Sequence, residues 1–486
     1  MLRDDCGAMT VRNGNAANTR RGFLGALATA GVGAAFAANG TGDSSDDAKG
    51  SELVFSRRLP VKVETDVFVA GGGPSGVAAA VTAAKAGARV FLSEAHASFG
   101  GMSTIGRIPL SMKWSDGIRD MDAGFGARIR RRLEEESHLK GPATDIEALK
   151  RVYDREAESA GVDFVFYSRV IGVEARGGHV DYVIVSSPSG LWAVRAKVFV
   201  DATGNGDLCV FAGAETRTGD ADGKSMPGTL CTLWAGCDFS KWPTGRTREQ
   251  HRALDKAIKD GVFTEPDNNW CGIWDVGEGV ANGNLGHAFG VDGTDERSLT
   301  RAMVEGRRKA MEYERYLREY LKEGFENARV VSTAEVLGVR ASRRVVGDYV
   351  LTFEDYLKRA TFEDEIGRYS YTIDIHPGTN DRVTVEAYRH RAGSSIAYGT
   401  GDSYGIPLRT LVPRGLGNVL VVGRCISTDH YMQGSVRVTP GCHITGQAAG
   451  MVAALSVAAN GDVRRVPAAE VRRRLRENGA DAPDPA

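Results

Sequence analysis

Gly71, Gly73 and Gly76, followed eighteen residues later by Glu94, make the spacing in this chain best suited to holding a charged small molecule. Gly71 permits a tight turn, Gly73 lets the backbone come close to a pyrophosphate, and Gly76 lets a helix pack against a strand. Pro74 and Ser75 complete the turn, and a helix starting there offers unpaired N–H groups to phosphate oxygens. A carboxylate at Glu94 can accept from both hydroxyls of an adenosine ribose and would repel a 2′-phosphate. The elements that must position these groups lie on either side. Residues 66–70 (DVFVA) read as a short apolar strand, 77–86 as an Ala-rich helix, and 88–94 as a second strand ending on the acid. Strand, turn, helix and strand predict a dinucleotide-binding βαβ unit; the plainer alternative is a Gly-rich turn in an ordinary one.

More glycine turns follow. Gly100, Gly101, Met102 and Ser103, in the string FGGMST, come almost directly after the acid. The flavin end of an extended FAD would run there, and a nicotinamide domain needs nothing comparable. Residues 197–207 form an apolar strand ending in the small-residue turn around Thr203 and Gly204, and 418–424 form another that ends at Gly423. An Ala/Gly/Val helix is expected over 441–459. Bends this far apart in sequence predict one elongated ligand.

The strings FGGMST, VFVDATGNGDL, GVRASRRVVGDYVLT, YTIDIHP and VVGRCISTDHYMQGSVRVTPGCHITGQAAG resemble the FAD-dependent oxidoreductase family, whose flavin fold is shared with glutathione reductase and the fumarate reductase flavoproteins. The resemblance runs from about 66 to 450. It implies an α/β fold, a Rossmann-like FAD-binding domain with a second, mixed α+β substrate lobe. It also implies FAD held at Gly71, Gly73, Gly76, Glu94, the Gly101 turn, the Thr203 and Gly204 turn and the Gly423 strand end, and it implies no substrate. The chain departs from the family pattern at Asn205, where Asp is common, and at Gly441, Cys442 and His443, where Thr, Cys and Met are usual. A helix beginning near Gly441 would aim its positive end at flavin N1 and C2=O, and Arg437 would add charge there; for Arg437 a surface salt bridge is the alternative. The expected activity is hydride transfer between a small organic substrate and flavin N5. A C=C reductase fed by a separate electron donor, and a non-catalytic flavin electron carrier, are the alternatives. No second nicotinamide-type glycine motif accompanies the first, which weighs against a monooxygenase or halogenase.

His376, in the sequence Asp374-Ile375-His376-Pro377, and His430 are candidates for moving a proton as hydride leaves or arrives, since imidazole titrates near neutrality. For each the alternative is a structural histidine. Arg340, with Arg343 and Arg344, offers forked donors to a carboxylate, carbonyl or sugar hydroxyl. Against this stands a structural ion-pair network with Asp348 and Glu354.

Further elements are a helix over 145–160, short strands at 164–166, 170–173 and 180–185 forming a small sheet beside the dinucleotide core, and a helix over 298–322 whose Met303, Met311, Tyr316, Leu317, Tyr320 and Leu321 read as packing. The expected domains are 61–212 with 401–462 for FAD, 213–400 for substrate, and a tail over 463–486. Residues 19–25 (TRRGFLG) and the weakly apolar run ending at 37 resemble a twin-arginine export signal, followed by a polar linker over 38–60. The resemblance implies a cofactor inserted before export, the twin-arginine translocase as partner, and a periplasmic or secreted enzyme. None of the cysteines falls in a C-x-x-C pair; Cys231 and Cys237 could bridge in an oxidising compartment, or be buried apolar residues. The 486 residues are 42% hydrophobic and 25% charged, with 61 basic against 62 acidic side chains, so collagen, disorder and a nucleic-acid-binding charge are excluded. No stretch after the signal has the uninterrupted apolar length of a membrane span, so stable membrane insertion is not expected. No metal site is written in the spacing.

Overall fold

A computed structural model describes residues 53, 55–108, 112–137, 143, 145–242, 248–267, 272–379 and 397–484. The expected export signal, most of its linker and Cys271 lie outside the described residues.

Five short parallel strands form the central sheet, in the order Val419–Val421, Val198–Asp201, Val67–Ala70, Val90–Ser93 and Asp163–Val165. The first four are buried along their whole length, as their unbroken Val, Phe and Leu runs require of strands covered on both faces. One face carries the helices Pro74–Lys85 and Thr439–Ser456. These helices meet backbone to backbone. A Cβ at Gly446 would fall 2.2 Å from the Ser75 carbonyl oxygen, and one at Gly450 equally close to that of Ala79. By length and composition the segment Thr439–Ala459 could cross a membrane, yet 72% of its apolar window is buried inside the protein. Here it is a core helix.

The other face carries a second sheet, in the order Val61–Glu64, Gly190–Arg195, His179–Ser187 and Arg169–Arg176. Phe68, Phe91, Phe199 and Trp192 fill the space between the sheets, where Phe91 meets Trp192 edge to face. The sequence placed 164–166 in this smaller sheet, but Asp163–Val165 pairs with Val90–Ser93 at the edge of the central one. The helix Ile146–Ser159 packs Leu149, Val152 and Tyr153 on the same face as Pro74–Lys85 and hands the chain to that open edge.

The second lobe is an antiparallel sheet, ordered Gly272–Gly277, Val280–Asn284, Thr232–Ala235 and Arg329–Thr333, packed with the helix Glu296–Tyr316 around Trp234, Tyr313, Tyr316 and Phe325. Asp295 caps that helix by accepting from the Ser298 N–H, so it starts two residues before the expected 298. In the expected packing stripe, Tyr316, Leu317 and Leu321 are buried while Met311 is exposed. Leu351, Tyr356, Tyr369 and Tyr371, within the segment 213–400, pack in the cluster of the central sheet and its helices.

Candidate functional site

A cleft of 420 Å³ opens where the central strands end, within the roughly 300–1,000 Å³ typical of small-molecule sites. Strand Val67–Ala70 feeds into Gly71, whose φ of +97° favours glycine, and a Cβ there would lie 2.6 Å from the Ala202 carbonyl oxygen. Gly73, by contrast, has extended backbone and open space: a Cβ added to it would meet no protein atom within 4 Å. That space is the cleft, which Gly73, Pro74 and Ser75 line. Gly76 serves packing instead, since its Cβ would fall 2.0 Å from the Gly71 carbonyl oxygen.

The next glycine turn faces the first, with Gly101, Met102 and Ser103 lining the cleft and a Gly101 Cβ position 3.3 Å from Gly73 Cα. Ser103 Oγ lies 3.1 Å from Thr439 Oγ1, tying this turn to the start of the Thr439–Ser456 helix. Gly100 and Gly423 stand behind the wall. A Cβ at Gly423 would press on Ser75 Oγ at 2.7 Å, and one at Gly100 would press on Thr104.

Glu94 is buried at the cleft's other end. Its Oε2 accepts the Gly72 N–H at 2.6 Å and its Oε1 the His96 N–H at 2.8 Å, which fixes the carboxylate while each oxygen keeps a further acceptor site. Between the ends, buried Asp201 accepts from Thr203 N–H, Thr203 Oγ1 and Cys209 N–H, and so shapes the turn that puts Thr203 and Gly204 on the wall. Sequence reasoning missed Arg424 as a lining residue, although it directly follows Gly423. Its guanidinium donates to Gly204 O, Val339 O and Asn205 Oδ1. The unusual Asn205 thereby acquires a use: it accepts from Arg424 and donates to Gly293 O, binding the turn to the second lobe.

Two buried donors on this wall lack partners among the described residues, Ser93 Oγ beside Glu94 and Arg437 Nε at the opposite end. Buried polar groups are seldom left so. An elongated ligand with a ribose at one end and polar ring atoms at the other supplies what both need, and the empty Cβ position of Gly73 leaves room for its phosphates. Arg437 is 13% exposed and pairs with Asp374 at 2.9 Å, so the salt bridge is real but lies at the cleft rather than on the outer surface. Thr439 and Cys442 line the cleft from the first turn of the long helix, and burial pushes the Cys442 thiol up to about 12. His443 points away, bonding Tyr153 Oη at 3.0 Å and Asp122 at 3.2 Å.

The candidates His376, His430 and Arg340 do not line this cleft. His376 stands behind Arg437, between His287 and Asp374. His430 opens a short helix, where burial and then Arg344 hold its pKa down to about 4. Arg340 donates to Pro227 O, Thr229 Oγ1 and Asn284 Oδ1, holding the second lobe together. The pairing of this arginine group with Asp348 and Glu354 does not form as expected. Arg343 pairs with Asp207, Arg344 donates to Gln433 and Gly219 O, Asp348 pairs with Arg464, and Glu354 with Lys358. Met303, expected only to pack, also lines the cleft from the second lobe. Cys237 is a free thiol, so the bridge to Cys231 does not form, and both side chains are buried as in the apolar alternative.

A thiamine thiazole synthase of Desulfosudis oleivorans is 30% identical over 196 residues, 37% of this chain and 67% of that protein. Among solved structures, a geranylgeranyl bacteriochlorophyll reductase-like protein of Thermoplasma acidophilum is 14% identical over 86% of this chain and 84% of its own, with a TM-score of 0.42. A p-nitrophenol 4-monooxygenase of Pseudomonas putida is 14% identical over 85% of each chain, with a TM-score of 0.43. Residues 66–475 match the FAD dependent oxidoreductase family, and the chain belongs to it.

Proposed function

We propose that this FAD-dependent oxidoreductase moves hydride between a small organic substrate and the flavin, and is exported by the twin-arginine route. The observation that carries the first part is the single cleft reaching from buried Glu94 to Arg437 and Thr439, with Leu299, Met303, Leu337 and Val339 as an apolar wall from the second lobe. FAD, when bound, supplies hydride acceptance or donation at isoalloxazine N5. The chain's own residues do the rest. Glu94 and Ser93 would hold the ribose, the Gly73 turn would admit the phosphates, Arg437 would offer a cationic donor to the ring, and the apolar wall would exclude water from the substrate side.

Anaerobic titration of the purified protein with candidate alcohols, sugars and enoates tests this: bleaching of the flavin absorbance supports hydride transfer. Bleaching only by dithionite, reversed by an enoate, identifies a C=C reductase with a separate electron donor. A flavin that no organic substrate oxidises or reduces overturns the catalytic reading and leaves an electron carrier. For export, Arg20→Lys with Arg21→Lys should retain the protein inside the cell, whereas unchanged export excludes the twin-arginine translocase as partner.

A further inference from the structure

Arg424 reaches the cleft as a cation with only neutral partners. Its Nε donates to Gly204 O at 2.7 Å, Nη1 to Val339 O at 2.9 Å and Nη2 to Asn205 Oδ1 at 2.7 Å. Among the described residues no carboxylate pairs with it. Asp207, which acts on it through space, is taken by Arg343 at 3.0 Å, and Asp374 is taken by Arg437 at 2.9 Å. A guanidinium carries five N–H groups, so Arg424 keeps two beyond these bonds. Burial weighs against a charge that nothing beside it balances. An anion in the cleft would balance it.

Arg424 stands at the end of the cleft opposite Glu94. A Cβ at the preceding Gly423 would lie 3.7 Å from Cys442 Sγ, and that sulfur lies 3.2 Å from Arg437 O. Arg424, Arg437 and Cys442 all line the cleft, and Cys442 belongs to the first turn of the helix Thr439–Ser456, whose N-terminus carries positive partial charge. To the same cleft the second lobe adds Leu299, Met303 and Leu337, and its one lining carboxylate, Glu335, is exposed to solvent. Positive charge from one lobe and an apolar surface from the other match a molecule with an anionic head on an apolar body.

Asn205 decides whether that charge is available. Its amide gives Arg424 an acceptor oxygen that carries no negative charge, and its Nδ2 donates to Gly293 O at 3.3 Å. A carboxylate in the same place could make the same bond to Arg424 and would cancel the charge. We propose that Arg424 binds an organic carboxylate with an apolar body, the substrate class of this cleft, and that Asn205 is a specificity-determining residue that leaves the charge of Arg424 to it. The role expected of Arg340, holding a carboxylate by forked donors, thus passes to Arg424, which lines the cleft as Arg340 does not.

Since this rests on the cleft taking FAD, the test uses the full-length, FAD-loaded protein, with calorimetry registering binding whether or not the flavin reacts. Phenylacetate should bind about tenfold more tightly than phenylacetamide, which keeps the shape without the charge. Asn205→Asp should weaken phenylacetate binding by about tenfold, whereas Asn205→Ala, which also loses the Gly293 bond but adds no charge, should stay within about threefold of the unaltered protein. Equal affinity for acid and amide, or equal losses in the two variants, overturns the proposal. An Asn205→Asp protein that loses affinity for FAD but not for phenylacetate assigns Arg424 to the cofactor's phosphates and overturns it as well. A flavin that no substrate bleaches, in a protein that still prefers phenylacetate to its amide, refutes hydride transfer and leaves the carboxylate site standing. A protein that takes up no FAD refutes the proposed function, and the same titrations on it still decide the role of Arg424.

Discussion

Gly73 and Gly76 stand three residues apart in one motif and do different physical work. A methyl on Gly73 enters empty space, while one on Gly76 enters the Gly71 carbonyl oxygen. Gly73→Ala should therefore cost no more than about 1 kcal/mol of stability, the scale of a helix N-cap change, and show its damage as weakened FAD binding. Gly76→Ala should cost about 3 kcal/mol with overpacked backbone as the cause, measured by urea unfolding of the FAD-free protein. His430 makes a pH-dependent prediction. Burial and Arg344 lower its folded pKa to about 4 from the 6.5 of an unfolded chain. As pH falls through that interval the unfolded chain takes up the proton first, so stability drops by roughly 1–2 kcal/mol between pH 7 and pH 5. His430→Gln should remove that part of the acid loss while FAD stays bound.

At the scale of elements, the central sheet is pinned at its strand starts as well as packed. Asp66 accepts from the Arg89 backbone N–H and guanidinium and pairs with Lys197, joining three neighbouring strands where they begin. Hydrogen bonding by Arg89 is the main cause that draws its pKa to about 2, against some burial. A depressed carboxyl stabilises the fold above its unfolded pKa, and the contribution fades as pH falls from about 4 to 2. Arg89 is well exposed, so solvent reduces the effect, and Asp66→Asn should cost about 1 kcal/mol at pH 7 and flatten that acid limb in unfolding titrations. The elements themselves were largely evident in the chain: the βαβ unit, the strands ending at Asp201 and Val421, and the long apolar helix all follow from local pattern. The edge strand Asp163–Val165 was misplaced because alternation identifies a strand without naming its neighbour.

At the scale of the molecule, the cleft is built from turns of the central sheet and a wall of the second lobe, and Asn205 between Arg424 and Gly293 O joins the two. A ligand gripped on several sides stabilises the whole chain. FAD at a thousand times its dissociation constant should raise the unfolding free energy by about 4 kcal/mol, seen as a concentration-dependent rise in Tm; a Tm indifferent to FAD contradicts the cleft as its site. The spacing of Gly71, Gly73, Gly76 and Glu94, the later glycine turns and their family resemblance were enough to name the cofactor, because phosphate-binding turns are local structures whose backbone demands are written in consecutive residues. They were not enough to say which histidine, arginine or serine meets the ligand. Arg424 and Ser93 reach the cleft and His430 does not, since facing depends on crossovers and packing that bring residues hundreds of positions apart onto one wall.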